Sequence, residues 1–359
     1  MRLLKIIIIS IAFLILICTE AAKLYSFNFS NINIENRCFI VEGNKDLQKV
    51  IEPDKTSLDF DSLNIEYRQA MRKWVAKIGQ IAKAKKSNFL IIPQNCSLLF
   101  TDNGEPDGNL CYDFISVIDG VGQEGINFGN IRYNKATNEI NRDKLTSQLN
   151  IGTKSGLTVL AVDYCNDENK INITQEYNEE NNFIGFQATS IDLLEIPAII
   201  PLNENPYDIR NLSSAQNFLF LLDTEYFKDK EEYILSLSET NYDILVIDAF
   251  FKIGEMLTNK DLKRLKRKAG GGSRLVISYL SIGEAEDYRY YWNQDYSKSL
   301  PSWILEENPE WKGNYIVEYW NEEWQDIIAA GKGSYLNRII DAGFDGVYLD
   351  IVDGFENFE

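Results

Sequence analysis

The sequence contains no histidine among its 359 residues. This absence excludes catalytic triads that use histidine as the base, histidine-ligated zinc sites, and the side chain that usually moves protons near neutral pH. If the protein is an enzyme, carboxylates must therefore carry out its proton transfers.

Basic residues are also few, with 36 Lys and Arg against 54 Asp and Glu and a formal net charge of −18. A chain of this charge repels phosphate, so nucleic acid is not expected as a partner. The densest basic stretch, residues 260–268, has the spacing of an amphipathic helix and is predicted to form a solvated face. A neutral or cationic ligand suits this chain better than an anionic one.

Cysteine is scarce as well, with five in the chain. Their spacing matches no metal motif, and a chain of this length needs no disulfide framework. Neither a metal nor a cofactor is predicted.

The N-terminus has the pattern of an export signal. Arg2 and Lys5 precede an apolar run over residues 6–17, which is shorter than the roughly 20 residues that a transmembrane helix needs. We therefore expect residues 1–22 to be a signal peptide and residues 23–60 a polar leader. The protein is expected to be secreted or held in the periplasm or cell envelope, with membrane association only through an uncleaved signal.

Eight short apolar runs recur along the rest of the chain, most of them about 25–40 residues apart and separated by helical or polar sequence. Runs that are apolar on both faces predict parallel strands covered by helices. Eight of them predict an α/β fold, a (β/α)8 TIM barrel over residues 61–359. The predicted strands are residues 89–92, 115–121, 157–162, 183–186, 218–222, 244–247, 275–280 and 346–351.

A helix is predicted over residues 66–85, before the first strand, whereas the sequence after the last strand is too short for one. We expect this first helix to close the barrel between the last strand and the first. Those two strands should then be parallel neighbours.

Carboxylates follow several of the predicted strands. In such a barrel the carboxyl ends of the strands meet at one mouth. A single terminal acid is more often a helix cap or a turn residue, but several from separate strands favour a shared site. Glycoside hydrolysis requires paired carboxylates, one to protonate the leaving oxygen and one to attack carbon or activate water. The acids at strand ends are Glu124, Asp163, Asp248, Glu284, Glu286, Asp350 and Asp353.

Aromatic residues are concentrated before the last strand, where five of the six tryptophans lie within residues 292–324. Tyr288, Trp292 and Trp320 are candidates for stacking on sugar rings, although most of these side chains could instead pack a large loop onto the barrel. Arg289 is either an ion-paired structural residue or a clamp for substrate and carboxylates.

The stretch Tyr-Leu-Ser-Ile-Gly-Glu-Ala-Glu-Asp-Tyr-Arg-Tyr-Tyr-Trp at residues 279–292 resembles the signature of glycoside hydrolase family 114-like proteins, which are related to endo-α-1,4-polygalactosaminidases. Residues 343–354 and 246–248 resemble two further blocks of that family, as do residues 311–314 and 319–325. Some relatives carry the label of a cysteinyl-tRNA synthetase, whose nucleotide motif needs the histidine that this chain lacks.

The resemblance implies an endo-acting glycosidase with Asp350 and Glu124 as the catalytic acid pair. Its expected substrate is an amino-sugar polysaccharide such as partly deacetylated galactosaminan. Around Asp350 the chain departs from the family pattern, with Tyr348-Leu349 in place of Glu-Pro and Ile351 in place of Asn. The side chains expected to bind substrate are Asp248, Glu286, Tyr288, Arg289, Trp292, Trp320 and Asp353.

The order of the blocks differs from that of the family, in which the blocks seen here at 216–356 come first. The resemblance therefore implies a circularly permuted chain. Two other functions are compatible with the same residues: a sugar-binding barrel without catalysis, and a hydrolase that binds a divalent cation through the acidic cluster.

Overall fold

The computed structural model of the chain describes residues 66–198 and 200–359, in which strands and helices alternate. The predicted signal peptide and polar leader lie outside the described residues. No helix within the described ranges is both long enough and apolar enough to span a bilayer.

The helices are α1 (Tyr67–Lys85), α2 (Tyr112–Ile115), α3 (Glu139–Lys154), α4 (Glu168–Asn181), α5 (Lys230–Ser238), α6 (Asn259–Leu265), α7 (Glu322–Gln325) and α8 (Tyr335–Ala342). The strands are β1 (Leu90–Pro93), β2 (Gly120–Glu124), β3 (Thr158–Tyr164), β4 (Ile184–Ala188), β5 (Phe218–Leu221), β6 (Ile244–Ile247), β7 (Phe250–Phe251), β8 (Glu255–Met256), β9 (Leu275–Ser281), β10 (Glu284–Glu286), β11 (Ile304–Glu307), β12 (Asn314–Val317) and β13 (Gly346–Asp350).

Two parallel sheets form the centre of the fold. The larger has the strand order β1-β13-β9-β6-β5, and the smaller has the order β2-β3-β4. Their edges approach each other on both sides. On one side the Asn95 amide donates to the Gly122 carbonyl at 2.9 Å, and on the other the rings of Phe186 and Phe218 lie 5.6 Å apart. Strands β5, β6 and β9 are buried along their whole length, which explains their continuous apolar sequence.

The expected pairing between the last and first strands is confirmed. β13 runs parallel to β1, with Gly346 opposite Leu90 and Leu349 opposite Pro93. Helix α1 packs next to this pair, since its Gly79 lies close to the side chain of Ile91.

The prediction for residues 115–121 was wrong at its start. Ile115 belongs to α2, where its amide donates to the Cys111 carbonyl at 3.1 Å, and strand β2 begins only at Gly120. The apolar run contains the end of a short helix and a turn, which hydrophobicity alone does not separate from a strand.

The basic stretch at 260–268 was expected to form a solvated face, but this prediction was wrong at its end. Helix α6 ends at Leu265, and the chain then turns so that Lys268 is buried. The Lys268 ammonium donates to Asp243 at 2.8 Å and to the Asn205 carbonyl at 2.8 Å. Burial of this charge is tolerated because a carboxylate and a carbonyl surround it.

The approach of β1 to β13 requires glycine at position 346. A Cβ atom there would lie 2.6 Å from both Cβ and the carbonyl oxygen of Leu90. We expect Gly346→Ala to lower the free energy of unfolding by about 1–3 kcal/mol, the usual cost of forcing a methyl group into a packed core.

Chemical denaturation of the purified variant measures this loss. Gly79→Ala is the matched control, because a Cβ atom in the middle of α1 meets its neighbours only at 3.4 Å or more, and alanine favours the helix. Equal stability of both variants and the wild type would contradict the steric account of the β1–β13 pair.

Candidate active site

A cleft of about 1020 Å³ opens at the carboxyl ends of the parallel strands. The structure brings five of the predicted acids to this cleft from four separate strands and the turns that follow them. Those that line it are Glu124, Asp248, Glu286, Asp350 and Asp353.

Glu124 ends β2, and both of its carboxylate oxygens accept hydrogen bonds from neighbouring side chains. The Tyr164 hydroxyl donates to Oε1, and the Gln94 amide donates to Oε2. These bonds favour the ionised form, but burial and the charge of Asp350 oppose it more strongly and raise the pKa of Glu124 to about 7.

Asp350 ends β13, and its Oδ2 accepts a hydrogen bond from the Tyr279 hydroxyl at 2.7 Å. Burial raises the pKa of Asp350 to about 6 despite this bond. Asp353 accepts from the Asn95 amide at 3.1 Å, and burial together with the charge of Asp350 raises its pKa to about 7. The pKa values of these three neighbouring acids thus lie close to neutral pH.

Arg289 is buried between two of the other acids. Its guanidinium contacts Asp248 at 2.8 Å and Glu286 at 2.7 Å, and it donates to the Tyr335 hydroxyl at 3.1 Å. Burial opposes its charge, but Asp248 and Glu286 outweigh that effect and hold the pKa of Arg289 well above its usual value. Of its two expected roles, the structure therefore shows an ion-paired residue that also orients two carboxylates at the cleft.

Only part of the predicted aromatic set reaches the cleft. Tyr288 lines it and donates to Glu286 at 2.5 Å. Trp292 does not line it and instead packs on Tyr315, with ring centres 4.8 Å apart. Trp320 is also absent from the lining, because its ring packs on Phe358 at 4.8 Å. Packing of the loop sequence, rather than sugar stacking, accounts for these two tryptophans.

Two acids at strand ends are likewise structural. Asp163 is fully buried and accepts from the backbone amides of Asn127 and Phe128 at 2.7 and 2.8 Å. Glu284 accepts from the Asn308 amide at 2.7 Å and from Asn314, and it does not line the cleft.

Several cleft residues were missed because the search along the sequence considered mainly acids. Gln94 and Asn95 directly follow β1, so the rule that placed the carboxylates at strand ends could have found them. Tyr164 is the last residue of β3, so the same rule could have found it, whereas Tyr279 lies inside β9 at the start of the recognised stretch 279–292. Trp311 lies in a recognised block, and its side chain is 49% exposed at the cleft.

Beneath the acids, Tyr348 of β13 is fully buried. Its ring and hydroxyl occupy the space that a Cβ atom at Gly122 would need. The hydroxyl has no hydrogen-bond partner within the described residues. The pair Gly122 and Tyr348 thus joins the two sheets directly below Glu124 and Asp350.

Residues 216–359 match the family model described as glycoside-hydrolase family GH114. The chain is similar to that family over these residues, which we call the GH114-like region. Of the five predicted acids that line the cleft, four lie in this GH114-like region, whereas Glu124 lies outside it.

Three curated relatives resemble the chain over shorter segments, and all three are named only as uncharacterized proteins. The relative from Methanocaldococcus jannaschii is 39% identical over 178 residues, which cover 48% of each chain. The relative from Thermotoga maritima is 40% identical over 122 residues, or 34% of this chain and 36% of its own length. The relative from Deinococcus radiodurans is 36% identical over 118 residues, or 33% of this chain and 35% of its own length. The chain thus spans about half or less of each relative.

The raised pKa values of Glu124, Asp350 and Asp353 predict how stability depends on pH. The folded state holds protons that the unfolded chain has already released, so between about pH 4 and 7 these acids lower the free energy of unfolding as pH rises. Glu124→Gln removes the part of this pH-dependent loss of stability that comes from Glu124. At pH 8 it should therefore be more stable than the wild type by roughly 1–3 kcal/mol, and at pH 4 the two should differ much less.

Denaturation of both proteins across pH 4–8 measures the difference. The difference between the two curves isolates Glu124 from the other titrating groups. Parallel curves would show that Glu124 ionises in the folded protein as easily as in the unfolded chain.

Proposed function

We propose that the protein is a glycoside hydrolase in which Glu124 and Asp350 form the catalytic pair. The observation that carries this proposal is the convergence of the two partly buried carboxyl groups, from strands far apart in the chain, at one cleft. The match of residues 216–359 to family GH114 supports the same class of reaction.

The two pKa values suggest a division of roles. Near pH 6.5 Glu124, with a pKa of about 7, is mostly protonated, and Asp350, with a pKa of about 6, is mostly ionised. Glu124 then protonates the leaving glycosidic oxygen, while Asp350 attacks the anomeric carbon or activates a water molecule. Tyr164 and Gln94 hold the Glu124 carboxyl in place through its two oxygens.

The charge of the cleft favours a neutral or cationic polysaccharide. Eight carboxylate side chains line the cleft against three basic ones, and Arg289 is already paired with two of the acids. An amino-sugar polymer with free ammonium groups, such as partly deacetylated galactosaminan, would be attracted to this surface. Trp311, half exposed at the cleft, offers a flat face for a sugar ring.

The proposal includes a closed barrel. The order β5-β6-β9-β13-β1 continues through the contact of β1 with β2 into β2-β3-β4, and β4 lies next to β5. We also propose a circularly permuted order, because the blocks that resemble the family stand in a different order from the family's and helix α1 precedes strand β1. Export from the cell is proposed from residues 1–22 of the sequence alone.

Asp350→Asn tests the pair, because it keeps the size of the side chain and removes its charge. We expect turnover of galactosaminan to fall by at least about 10³-fold, while the unfolding midpoint does not fall below that of the wild type, because the raised pKa of Asp350 makes its ionised form unfavourable in the folded protein. Release of reducing ends measures turnover. Wild-type activity in the variant would remove Asp350 from the mechanism.

Asp345→Asn is the matched control, at the other end of the same strand. Asp345 accepts from Lys266 at 2.6 Å and from the Val276 amide at 3.1 Å, far from the catalytic pair along β13. The Asp345→Asn variant should be less stable than the wild type but should keep the wild-type turnover. A wild type that binds the polymer but never cleaves it would favour the sugar-binding barrel, and activity abolished by a chelator would favour the cation-dependent hydrolase.

A second test uses the pH dependence of kcat. The pair predicts a bell-shaped profile with its maximum between about pH 6 and 7. Tyr164→Phe removes a hydrogen bond that favours ionised Glu124, so the alkaline limb should move to higher pH. An unmoved alkaline limb would show that this limb does not report Glu124.

A further inference from the structure

A second pocket, of about 560 Å³, adjoins the cleft at Glu124. Asn95, Glu124, Tyr164 and Asp353 line both cavities, whereas Asp350 lines only the cleft. Glu124, the proposed general acid, thus lies in the wall between the two cavities, whereas its proposed partner Asp350 faces the cleft alone.

The second pocket is lined mainly by polar side chains, together with Leu98 and Leu145. The polar side chains outside the shared wall include Ser97, Gln123, Asn130, Asn141, Lys144 and Gln148. Such a lining suits a ligand that carries many hydrogen-bonding groups, as a sugar does, and does not suit an apolar one.

Gln123 determines which kind of hydrogen bond the pocket needs. Its amide N–H groups donate to Asn95 Oδ1 at 2.9 Å and to the Glu124 carbonyl at 3.2 Å, which leaves Oε1 as the free acceptor. The side chain is only 6% exposed, and Oε1 accepts no hydrogen bond within the part of the chain that the structure describes. A buried acceptor without a donor is unfavourable, so a ligand O–H or N–H group is favoured here once the Gln123 side chain turns Oε1 toward the pocket.

The charges that line the second pocket indicate which charge its ligand can carry. Glu124, Asp353 and Glu356 line it, and the single basic side chain in its lining, Lys144, is paired with Glu105 at 2.7 Å. An anionic ligand would meet an excess of acids. The pocket therefore fits a neutral sugar or one that carries an ammonium group.

We infer that the second pocket binds the sugar unit on the side of the scissile bond opposite to the units held in the cleft. The polysaccharide then passes Glu124 with units on both sides, which corresponds to cleavage within a chain. This inference rests on the proposed function, because it requires Glu124 to protonate the glycosidic bond that lies between the two cavities.

The test uses Asp350→Asn as the parent, so that binding is measured without turnover. Asn141 is exposed on α3 and lines only the second pocket, and Asn141→Trp obstructs that pocket without disturbing the core. We expect its affinity for a partly deacetylated galactosamine octasaccharide, measured by calorimetry, to fall at least tenfold. Lys144→Trp, one turn along the same helix, should do the same and guards against a local folding defect in either variant.

Ser147→Trp is the matched control, because Ser147 is exposed on α3 and lines neither cavity. Its affinity should stay within twofold of the parent. Unchanged binding in Asn141→Trp and Lys144→Trp would overturn the inference, and so would an equal loss in Ser147→Trp, because the loss would then arise from the helix and not from the pocket. The proposed function is tested separately, by the turnover of the wild type against Asp350→Asn.

Discussion

The parallel pairing of β1 with β13 is the interaction on which the site depends. β13 supplies Asp350, and the chain that follows β1 supplies Gln94 and Asn95 and leads on to β2 with Glu124. These two parts of the molecule are far apart in sequence, and a two-sided parallel sheet must be covered by helices before it is stable. The carboxyl groups can therefore lie near each other only where β13, β1 and β2 are side by side.

The five predicted acids that line the cleft fall into two groups, which differ in whether a cation pairs with them. Asp248 and Glu286 share the buried guanidinium of Arg289. Within the described residues, no lysine or arginine forms an ion pair with Glu124, Asp350 or the neighbouring Asp353, which have only neutral hydrogen-bond donors. A cation beside them would keep them ionised. Neutral donors hold the carboxyl groups in position while leaving their protons available for exchange.

Much of the fold could be predicted from hydrophobic runs, because strands buried on both faces leave a continuous apolar pattern. The same pattern misplaced the start of β2, since Ile115 is equally apolar in a short helix. Strand ends identified five of the eight acids that line the cleft. The sequence could not show that Trp292 and Trp320 pack on other aromatic rings, because exposed and packed tryptophans look alike in a sequence. Hydrogen-bond partners such as Tyr164 become visible only once two strands are adjacent.

The contact between Gly122 and Tyr348 has an evolutionary consequence. The tyrosine ring fills the space that a side chain at position 122 would need, so neither position can change freely while the other stays the same. A sequence that lost the ring would leave a hollow below Glu124 and Asp350, and a larger residue at position 122 could fill it. The two positions, one in the GH114-like region and one outside it, should therefore vary as a correlated pair among related sequences.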